Sequence, residues 1–391
     1  MTADRPLRVV HADHSTSRGG AEFALIRMLN AEHPWHATVL VPGRGSDAGV
    51  WQLVSPAESG QVQFVGTAHT AGASRGGGIL RFARQVLGQA VRVRRSRAFA
   101  RADVLHANTS RAGLYCTLAA LGTRKPVVVH LRDLVDRANL GGLGYALTTR
   151  FVLPRASGVI ANSRASLASA RPFIRSSAVA EVIHSAIGIL PTTEAPPISD
   201  EVTTVGMVAR LDTWKGHELL IRAFALAFPG DSTTRLALAG SADFDREAYA
   251  RSLEELASEL DVRSRIDFLG HVDDVPALIA SWDICVQAST RPEPLGQNVL
   301  QYLAAGRPTI ATQEGGPGEW VRSGWNGWTF RMGDLESLTE TLVAAKDPAA
   351  RRRVAENAPQ TPGLSSDAEV AAAHGAVFRA ASDIPPRKST Q

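Results

Sequence analysis

The chain has 391 residues, 44% hydrophobic and 20% charged, which is long enough for two core-bearing domains and ordinary for a soluble globular protein. No apolar run approaches the roughly 18 residues of a membrane span, and the start, MTADRPLRVV, carries no signal-peptide core, so a cytoplasmic protein is expected. The net charge of +4 conceals a polarisation: residues 1–190 hold 23 Lys+Arg against 10 Asp+Glu, and residues 191–391 hold 19 against 28, an asymmetry that marks one domain as meeting something anionic. Cys116 and Cys285 each lie in an apolar run with no Cys-x-x-Cys or His cluster nearby, so they read as small buried hydrophobes, with no disulfide or zinc site.

Residues 7–13, LRVVHAD, read as a buried parallel strand, followed by a tight turn at Gly19 and Gly20 and a helix over 21–30. Glycines between a strand and a helix let a ligand approach the backbone. Strands are predicted at 36–42 and 61–65. Between Ser59 and Ala102 there is no acid, yet eight arginines occur: Arg75, Arg81, Arg84, Arg92, Arg94, Arg95, Arg97 and Arg101. Leu80, Ala83, Val86 and Leu87 recur at helical spacing, which predicts an arginine-studded amphipathic helix after the Gly-rich loop 72–78. Such a helix is either a solvated face or a surface for acidic lipid or a lipid-linked pyrophosphate, each basic residue near an anionic surface contributing ~1 kcal/mol. Aromatic residues interleave with the arginines only at Phe82 and Phe99, so nucleic acid is not indicated.

A strand at 103–106, a helix at 111–121 and a strand at 126–131 follow. This alternation defines a doubly wound parallel sheet, and such sheets bind ligands beyond the carboxyl ends of their strands. His106 and His130 stand at such ends, open to a structural or a ligand-contacting role, with Arg132 and Asp133 beside the second. The Gly-rich segment 137–144 is expected to be a loop that moves on ligand binding. Two more strands are placed in 151–163 and 179–184, and Pro191, Pro196 and Pro197 mark a linker over 191–200.

Beyond a strand at 202–209, Arg210 and Lys215 flank a turn that opens a helix, so two cations and a helix N-terminus converge on one point, an arrangement that favours a pyrophosphate. After a strand at 235–239, Asp243 and Asp245 sit where a helix takes N-terminal acids, and with two cations available no divalent ion is expected. A strand at 266–269 ends in Gly270 and His271. A buried strand at 283–287 then feeds a polar loop carrying Glu293. Pro294 is placed at the first helical position, with a helix over 295–305 ended by Gly306 and a strand at 308–311. The amides of Leu295, Gly296 and Gln297 are expected to form an anion site. Glu293 at its mouth caps the helix, or accepts hydrogen bonds from a polyol attached to the phosphate and stabilises developing positive charge. Helices at 334–345 and 367–380 finish the chain, and residues after 382 are expected to be disordered.

The stretch 290–312, TRPEPLGQNVLQYLAAGRPTIAT, resembles the signature of the retaining, nucleotide-sugar-dependent glycosyltransferases of family 4 (glycosyl transferases group 1): a Glu, seven residues, a second Glu, a small-residue helix, Gly-x-Pro and an apolar strand. Glu293 matches the first acid, and Ala304, Ala305, Gly306 and 308–311 match the tail. Gln301 stands where the second acid would bind the donor ribose. Gly315, Gly316, Glu319, Gly324, Asn326 and Gly327 fit as well, and Arg210, Lys215 and Gly216 match the family's Arg-x-x-x-x-Lys-Gly. The first half matches more loosely: Gly19 and Gly20 with a loop facing the donor phosphate and the acceptor, His130 with a histidine that contacts the sugar, and His106, Asn108 and Thr109 with a cleft-lining loop. His184, Ser185 and Ala186 depart from the family's Asn-Gly.

The resemblance implies an α/β chain of GT-B architecture, two Rossmann-like doubly wound domains facing across a cleft. Residues 1–190 would bind the acceptor, 201–365 the nucleotide sugar, and a helix at 366–381 would return to the first domain, leaving 382–391 as a tail. The implied donor residues are Gly19, Gly20, Arg210, Lys215, Gly270, His271, Glu293, Leu295, Gly296, Gln297 and Gln301; His106, Asn108, Arg132 and Asp133 fall on the acceptor side; Glu293, His130, Arg210 and Lys215 carry the catalysis. A nucleotide diphosphate sugar, UDP by prevalence, serves as co-substrate without cofactor or metal. A lipid-linked, polysaccharide or natural-product hydroxyl is the expected acceptor. Arg81, Arg84, Arg92, Arg94, Arg95, Arg97 and Arg101 would offer a peripheral contact to acidic membrane on its cytoplasmic face. A nucleotide-sugar epimerase of the same architecture needs carboxylates on both sides for proton abstraction, which the first half's 10 acids against 23 bases opposes. A transfer-inactive binding member is the other rival, with Gln301 as its only hint.

Overall fold

A computed structural model describes residues 5–17, 19–43, 49–55, 62–66, 78–188, 197–241 and 247–384. Asp243, Asp245, most of the Gly-rich loop 72–78 with Arg75, the first part of the linker and the tail beyond 384 lie outside the described residues. The chain divides into two units, residues 1–186 with 365–391, and residues 187–364. The polypeptide therefore leaves the first unit once and comes back to it.

Unit one is built on β1 (Leu7–Ala12), β2 (Trp35–Val41), β3 (Val62–Phe64), β4 (Val104–Ala107), β5 (Val127–Leu131), β6 (Gly158–Ala161) and β7 (Val179–Val182), in the order β3-β2-β1-β4-β5-β6-β7. Every pair is parallel. Unit two carries β8 (Thr204–Val208), β9 (Arg235–Ala239), β10 (Ile266–Gly270), β11 (Ile284–Val286), β12 (Thr309–Thr312) and β13 (Trp328–Phe330), in the order β10-β9-β8-β11-β12-β13, again all parallel. Counted from its own first strand, each sheet has the Rossmann order, which reverses direction between β1 and β4 and between β8 and β11.

Both faces of each sheet are covered, so the strands are apolar along their length. In unit one, α1 (Gly20–Asn30) lies against one face, and α2 (Gly78–Arg95), α3 (Arg97–Arg101) and α4 (Ser110–Ala120) against the other. Next come α5 (Arg137–Leu147) and α6 (Arg164–Ala170). Unit two adds α7 (His217–Ala227), α8 (Glu247–Glu259), α9 (Val275–Ala280), α10 (Gln297–Ala304), α11 (Pro317–Trp320), α12 (Leu335–Ala344) and α13 (Pro348–Asn357). The last helix, α14 (Asp367–Ser382), packs Val370, Val377 and Phe378 into the unit-one core with Val9, Val128 and Ile160. A complete capping box starts it, Ser366 and Glu369 each bonding the other's backbone N–H. Cys116 and Cys285 are free thiols buried in the two cores.

Two local expectations are corrected. Residues 137–144 are not a loop: Asp136 caps α5 by accepting from the Asn139 amide, and the glycines produce a single break, with Gly141 in the left-handed region at φ 67°. Of residues 151–163 only Gly158–Ala161 is a strand, because Thr148–Val152 continues α5 as a wide π turn and Leu153–Arg155 as a tight 3-10 turn.

Gly206 in β8 shows how closely unit two is packed: a Cβ there would lie 2.0 Å from the ring of Trp282, a fully buried side chain. Gly206→Ala is therefore expected to destabilise the protein by about 2–3 kcal/mol through overpacking. A urea midpoint unchanged from the parent protein would show that the Trp282 wall yields instead.

Candidate functional site

In unit two the polar residues gather beyond the carboxyl ends of β8 and β11, beside the point where the strand order reverses. Gly216 adopts φ 81°, and a Cβ there would fall 1.8 Å from the Ala288 carbonyl oxygen, so only glycine lets the segment after β8 close onto the segment after β11. The Thr290 amide donates to the Trp214 carbonyl at 2.7 Å and fixes that closure. Lys215 and Glu293, 78 positions apart, are thereby held with Nζ 2.5 Å from Oε1, both side chains largely buried. The Lys215 ammonium also lies 4.1 Å from the Trp214 ring centroid. The other Glu293 oxygen accepts from Gln287 Nε2 at 2.9 Å and Ser289 Oγ at 2.8 Å. Gln287 is fixed in turn, its Oε1 accepting from the Thr312 amide and hydroxyl at 3.1 Å. Glu293 thus has one oxygen committed to neutral donors and one committed to a single cation.

The neighbouring helix begins later than its proline implied. Gly296 is the N-cap of α10 in the left-handed region, φ 78°, and Gln297 is the first helical residue; Pro294 and Leu295 belong to the loop. Any side chain at 296 would meet Pro317 at 2.8 Å, and Gly315 and Gly316 likewise leave no room for a Cβ against the backbone of Glu293, Pro294 and Leu295. Tyr302 and Asn298 tie α10 to β8, the tyrosine hydroxyl accepting from the Val208 amide at 2.8 Å and the asparagine donating to the Val208 carbonyl at 3.1 Å. Gln301 is half-buried one turn along the helix, and Arg210 is exposed at the start of its loop. Gly270 closes β10 with φ 64°, and His271 beside it is a surface residue 3.2 Å from Asp273.

Unit one has its polar residues in the equivalent place, beyond β1, β4 and β5. Asp13 accepts from the amides of His14 (2.5 Å) and Ser15 (3.1 Å) and from Asn108 Nδ2 (2.6 Å). Asn108 Oδ1 accepts from Arg132 Nη2 at 2.7 Å, and Arg132 Nη1 reaches Ser185 Oγ at 3.3 Å. Burial pulls the Arg132 pKa down to about 10, which still leaves it cationic at neutral pH. Glu22, on the first turn of α1, folds back over Gly19, where a Cβ would lie 2.3 Å from its carboxylate. Burial, reinforced by Asp13, raises its pKa to about 7. A cavity of about 990 Å³ opens beside this network. Its polar end is made by His14, Gly20, Glu22, Thr109, Arg132 and Asp133, and its apolar wall by Phe82, Leu114, Leu140, Leu143, Leu147 and Val152.

Two sequence expectations fail here. His130 and His106, assigned to a sugar contact and to a cleft-lining loop, lie buried under α14 in a layer with His11 and His374. Strand alternation explains this: His11 and His106 are paired in register and point to the α14 face, whereas Arg132 and Asp133, just past the end of β5, reach the cavity. The reading missed Gln287 and Ser289, whose only signal was a polar pair ending a buried strand, and Glu22, two positions after a glycine pair it did note. Among the described residues two groups bring metal-binding side chains within 4.8 Å of one another, Asp13 with His14 and Glu22, and His106 with His130 and His374. In the first, Asp13 is already satisfied by three donors and His14 Nδ1 stands 3.0 Å from the Thr109 hydroxyl.

Two Rossmann-ordered sheets, each with a polar site at its switch point, define a two-domain, doubly wound α/β class of protein. Residues 19–188 match the family described as Glycosyltransferase Family 4, and residues 192–361 match Glycosyl transferases group 1. The chain belongs to the group 1, family 4 glycosyltransferases, with the GT-B fold. It is 36% identical over 113 residues, 28% of this chain and 32% of the relative, to the lipopolysaccharide core biosynthesis glycosyltransferase LpsE of Rhizobium meliloti. The chain spans about a third of the length of the curated relatives it matches first. Among solved structures, Anabaena HepE in complex with UDP-glucose is 25% identical with a TM-score of 0.70, covering 93% of this chain and 98% of that one. Sucrose-phosphate synthase from Thermosynechococcus elongatus has the same fold at 19% identity, with a TM-score of 0.77 over 95% of this chain and 98% of that one.

The Lys215–Glu293 pair predicts a non-additive mutant cycle. Lys215→Met leaves a largely buried carboxylate without its cation and is expected to cost up to about 3 kcal/mol, much of which Glu293→Gln in the same chain returns. Urea denaturation of the two single variants and the double variant measures the coupling, and strictly additive costs would show that the pair is not energetically linked.

Proposed function

We propose that this protein transfers a sugar from a nucleotide diphosphate sugar to an acceptor hydroxyl, with retention at the anomeric carbon and without a metal ion. The observation that carries the reading is the Lys215–Glu293 pair at the switch point of unit two. Lys215 and Arg210 would neutralise the donor diphosphate as it departs. When the Lys215 ammonium turns from Glu293 to that diphosphate, Glu293 Oε1 becomes an acceptor for sugar hydroxyls, while Gln287 and Ser289 keep the carboxylate in place through Oε2. The bond from the anomeric carbon to the phosphate oxygen breaks with its electron pair moving to the diphosphate. The acceptor oxygen bonds to the same face of the sugar, and its proton passes to the phosphate. Gln301 would meet the ribose, with UDP the first nucleotide to test because HepE is described in complex with UDP-glucose. Thermal-shift measurements with nucleotide diphosphates and their sugars, a chelator present, test this. A donor at 100 times its Kd should add ~2.7 kcal/mol of stability, and Lys215→Ala should abolish the shift. No shift with any nucleotide would sink the reading.

The acceptor is assigned to the unit-one cavity, whose polar end and apolar wall suit a polyol or sugar joined to an apolar body. Helix α2 supports delivery from an acidic membrane surface. It contributes Phe82 to the cavity wall and exposes Leu87 (54%) and Val91 (46%) among Arg84, Arg92 and Arg95. Arg94 is withdrawn from that role, since it caps α4 by donating to the carbonyls of Ala119 and Leu121 at 2.7 and 2.6 Å. No helix among the described residues is long and apolar enough to cross a membrane. Flotation with acidic vesicles should bring the protein up, and replacing Arg84, Arg92 and Arg95 with glutamine should leave it at the bottom. Flotation undiminished in that variant would remove the membrane from the proposal.

A further inference from the structure

The histidine layer beneath α14 has its proton positions dictated by its neighbours. Burial holds His11, His106, His130 and His374 neutral at pH 7, with His374 drawn down to about 4. Trp35 Nε1–H donates to His11 Nε2 at 3.0 Å, and an indole nitrogen can only donate, so the His11 proton is on Nδ1. That Nδ1 lies 2.8 Å from His106 Nδ1, which must accept, so the His106 proton is on Nε2. At the other end His374 Nδ1 lies 2.8 Å from the Val370 carbonyl and must donate, leaving His374 Nε2 bare. His130 Nδ1, 3.4 Å from that bare nitrogen, therefore carries the His130 proton, and His130 Nε2 is bare. One donor and one acceptor remain, His106 Nε2–H and His130 Nε2, both buried and without a hydrogen-bond partner, in rings whose centroids are 5.8 Å apart.

We propose that a single internal water joins His106 Nε2–H to His130 Nε2, completing a one-directional hydrogen-bond chain from Trp35 to the Val370 carbonyl, and that this chain is a proton-sensitive latch holding α14 on unit one. A water can accept the hydrogen bond from His106 Nε2–H and donate one to His130 Nε2, as these two atoms require, and buried water occupies sites of this polarity. A metal ion held by His106, His130 and His374 would need an unprotonated nitrogen of each turned toward it, and the unpartnered His106 Nε2 carries its proton. A proton added at His130 Nε2 replaces the acceptor with a second donor and puts a cation beside Arg132. The groups facing the layer are His33, on the segment before β2, and Arg132, past β5; both oppose protonation, and no carboxylate is among the causes that act on the four imidazoles. Because the chain crosses between the units at 186/187 and again at 364/365, releasing α14 leaves unit two attached to the unit-one body by the first crossing alone.

The folded pKa values lie below the ordinary 6.5, so the latch is fully formed above that pH and fails as pH falls from 6.5 toward 4. Hydrogen exchange, expressed as protection factors at pH 7.5 and 5.0, should show residues 367–382 losing at least tenfold more protection than β1, β4 and β5. In the His130→Gln/His374→Gln variant, which keeps donors and acceptors but removes two titrating groups, that selective loss should shrink. NMR of 15N-histidine-labelled parent protein should place protons on Nδ1 of His11, His130 and His374 and on Nε2 of His106, whether or not the variant folds. Three results overturn the proposal: α14 opening only in step with the rest of unit one, a different tautomer set, or a stoichiometric transition metal that copurifies and is absent from His374→Gln.

Discussion

Parallel strands covered on both faces are apolar along most of their length, so apart from the histidine layer under α14 the polar side chains gather beyond the strand ends. That constraint organises this molecule twice. In each unit the strand order reverses beside the first strand, so neighbouring connections run in opposite directions and leave a crevice at the carboxyl ends. Asp13, Asn108 and Arg132 fill that place in unit one, and Lys215, Gln287 and Glu293 in unit two. Glycine completes the arrangement where two loops meet: Gly216 against Ala288, and Gly315 and Gly316 against the backbone of 293–295.

The charges gathered in these crevices are mostly out of water, and the two units manage this differently. Unit two uses an ion pair whose carboxylate is also held by two neutral donors, so the ammonium can leave without stranding the acid entirely. Unit one spreads one guanidinium over Asn108 and Ser185, and keeps Glu22 near its midpoint at neutral pH by burying it against Asp13. The strong excess of arginine in the first half is mainly a surface property, carried by α2 and its surroundings, whereas the cavity itself sets Arg111 and Arg132 against Glu22 and Asp133.

Much of the candidate site in unit two was legible because its residues lie in local sequence contexts that carry their own physics. Arg210 and Lys215 flank a turn that Gly216 closes before an amphipathic helix, and Glu293 precedes a small-residue helix and an apolar strand. What failed was any inference from one residue type alone. Pro294 suggested a helix start, but the left-handed Gly296 and the packing of Pro317 delay it to Gln297. Glycines at 141, 142 and 144 suggested a loop, but a capping aspartate and contact with the helical turns that follow keep the segment helical. Histidine at the end of a strand suggested ligand contact, yet the direction of the side chain depends on register against β4 and β6, which one strand's sequence does not contain.

The sequence by itself determined the parallel α/β class, the division into a basic and an acidic half, and the acid and cations of the candidate site in unit two, because periodicity, charge and short-range turn chemistry are local properties. Only the tertiary structure decided which polar groups meet. The pairing of Lys215 with Glu293, the support of Gln287 and Ser289, the reach of Arg132 to Asn108, and the placing of His374 against His130 join positions far apart in the chain. Those contacts follow from strand order and from the return of α14 to the first unit, and they arise only once the sheets have formed and excluded water.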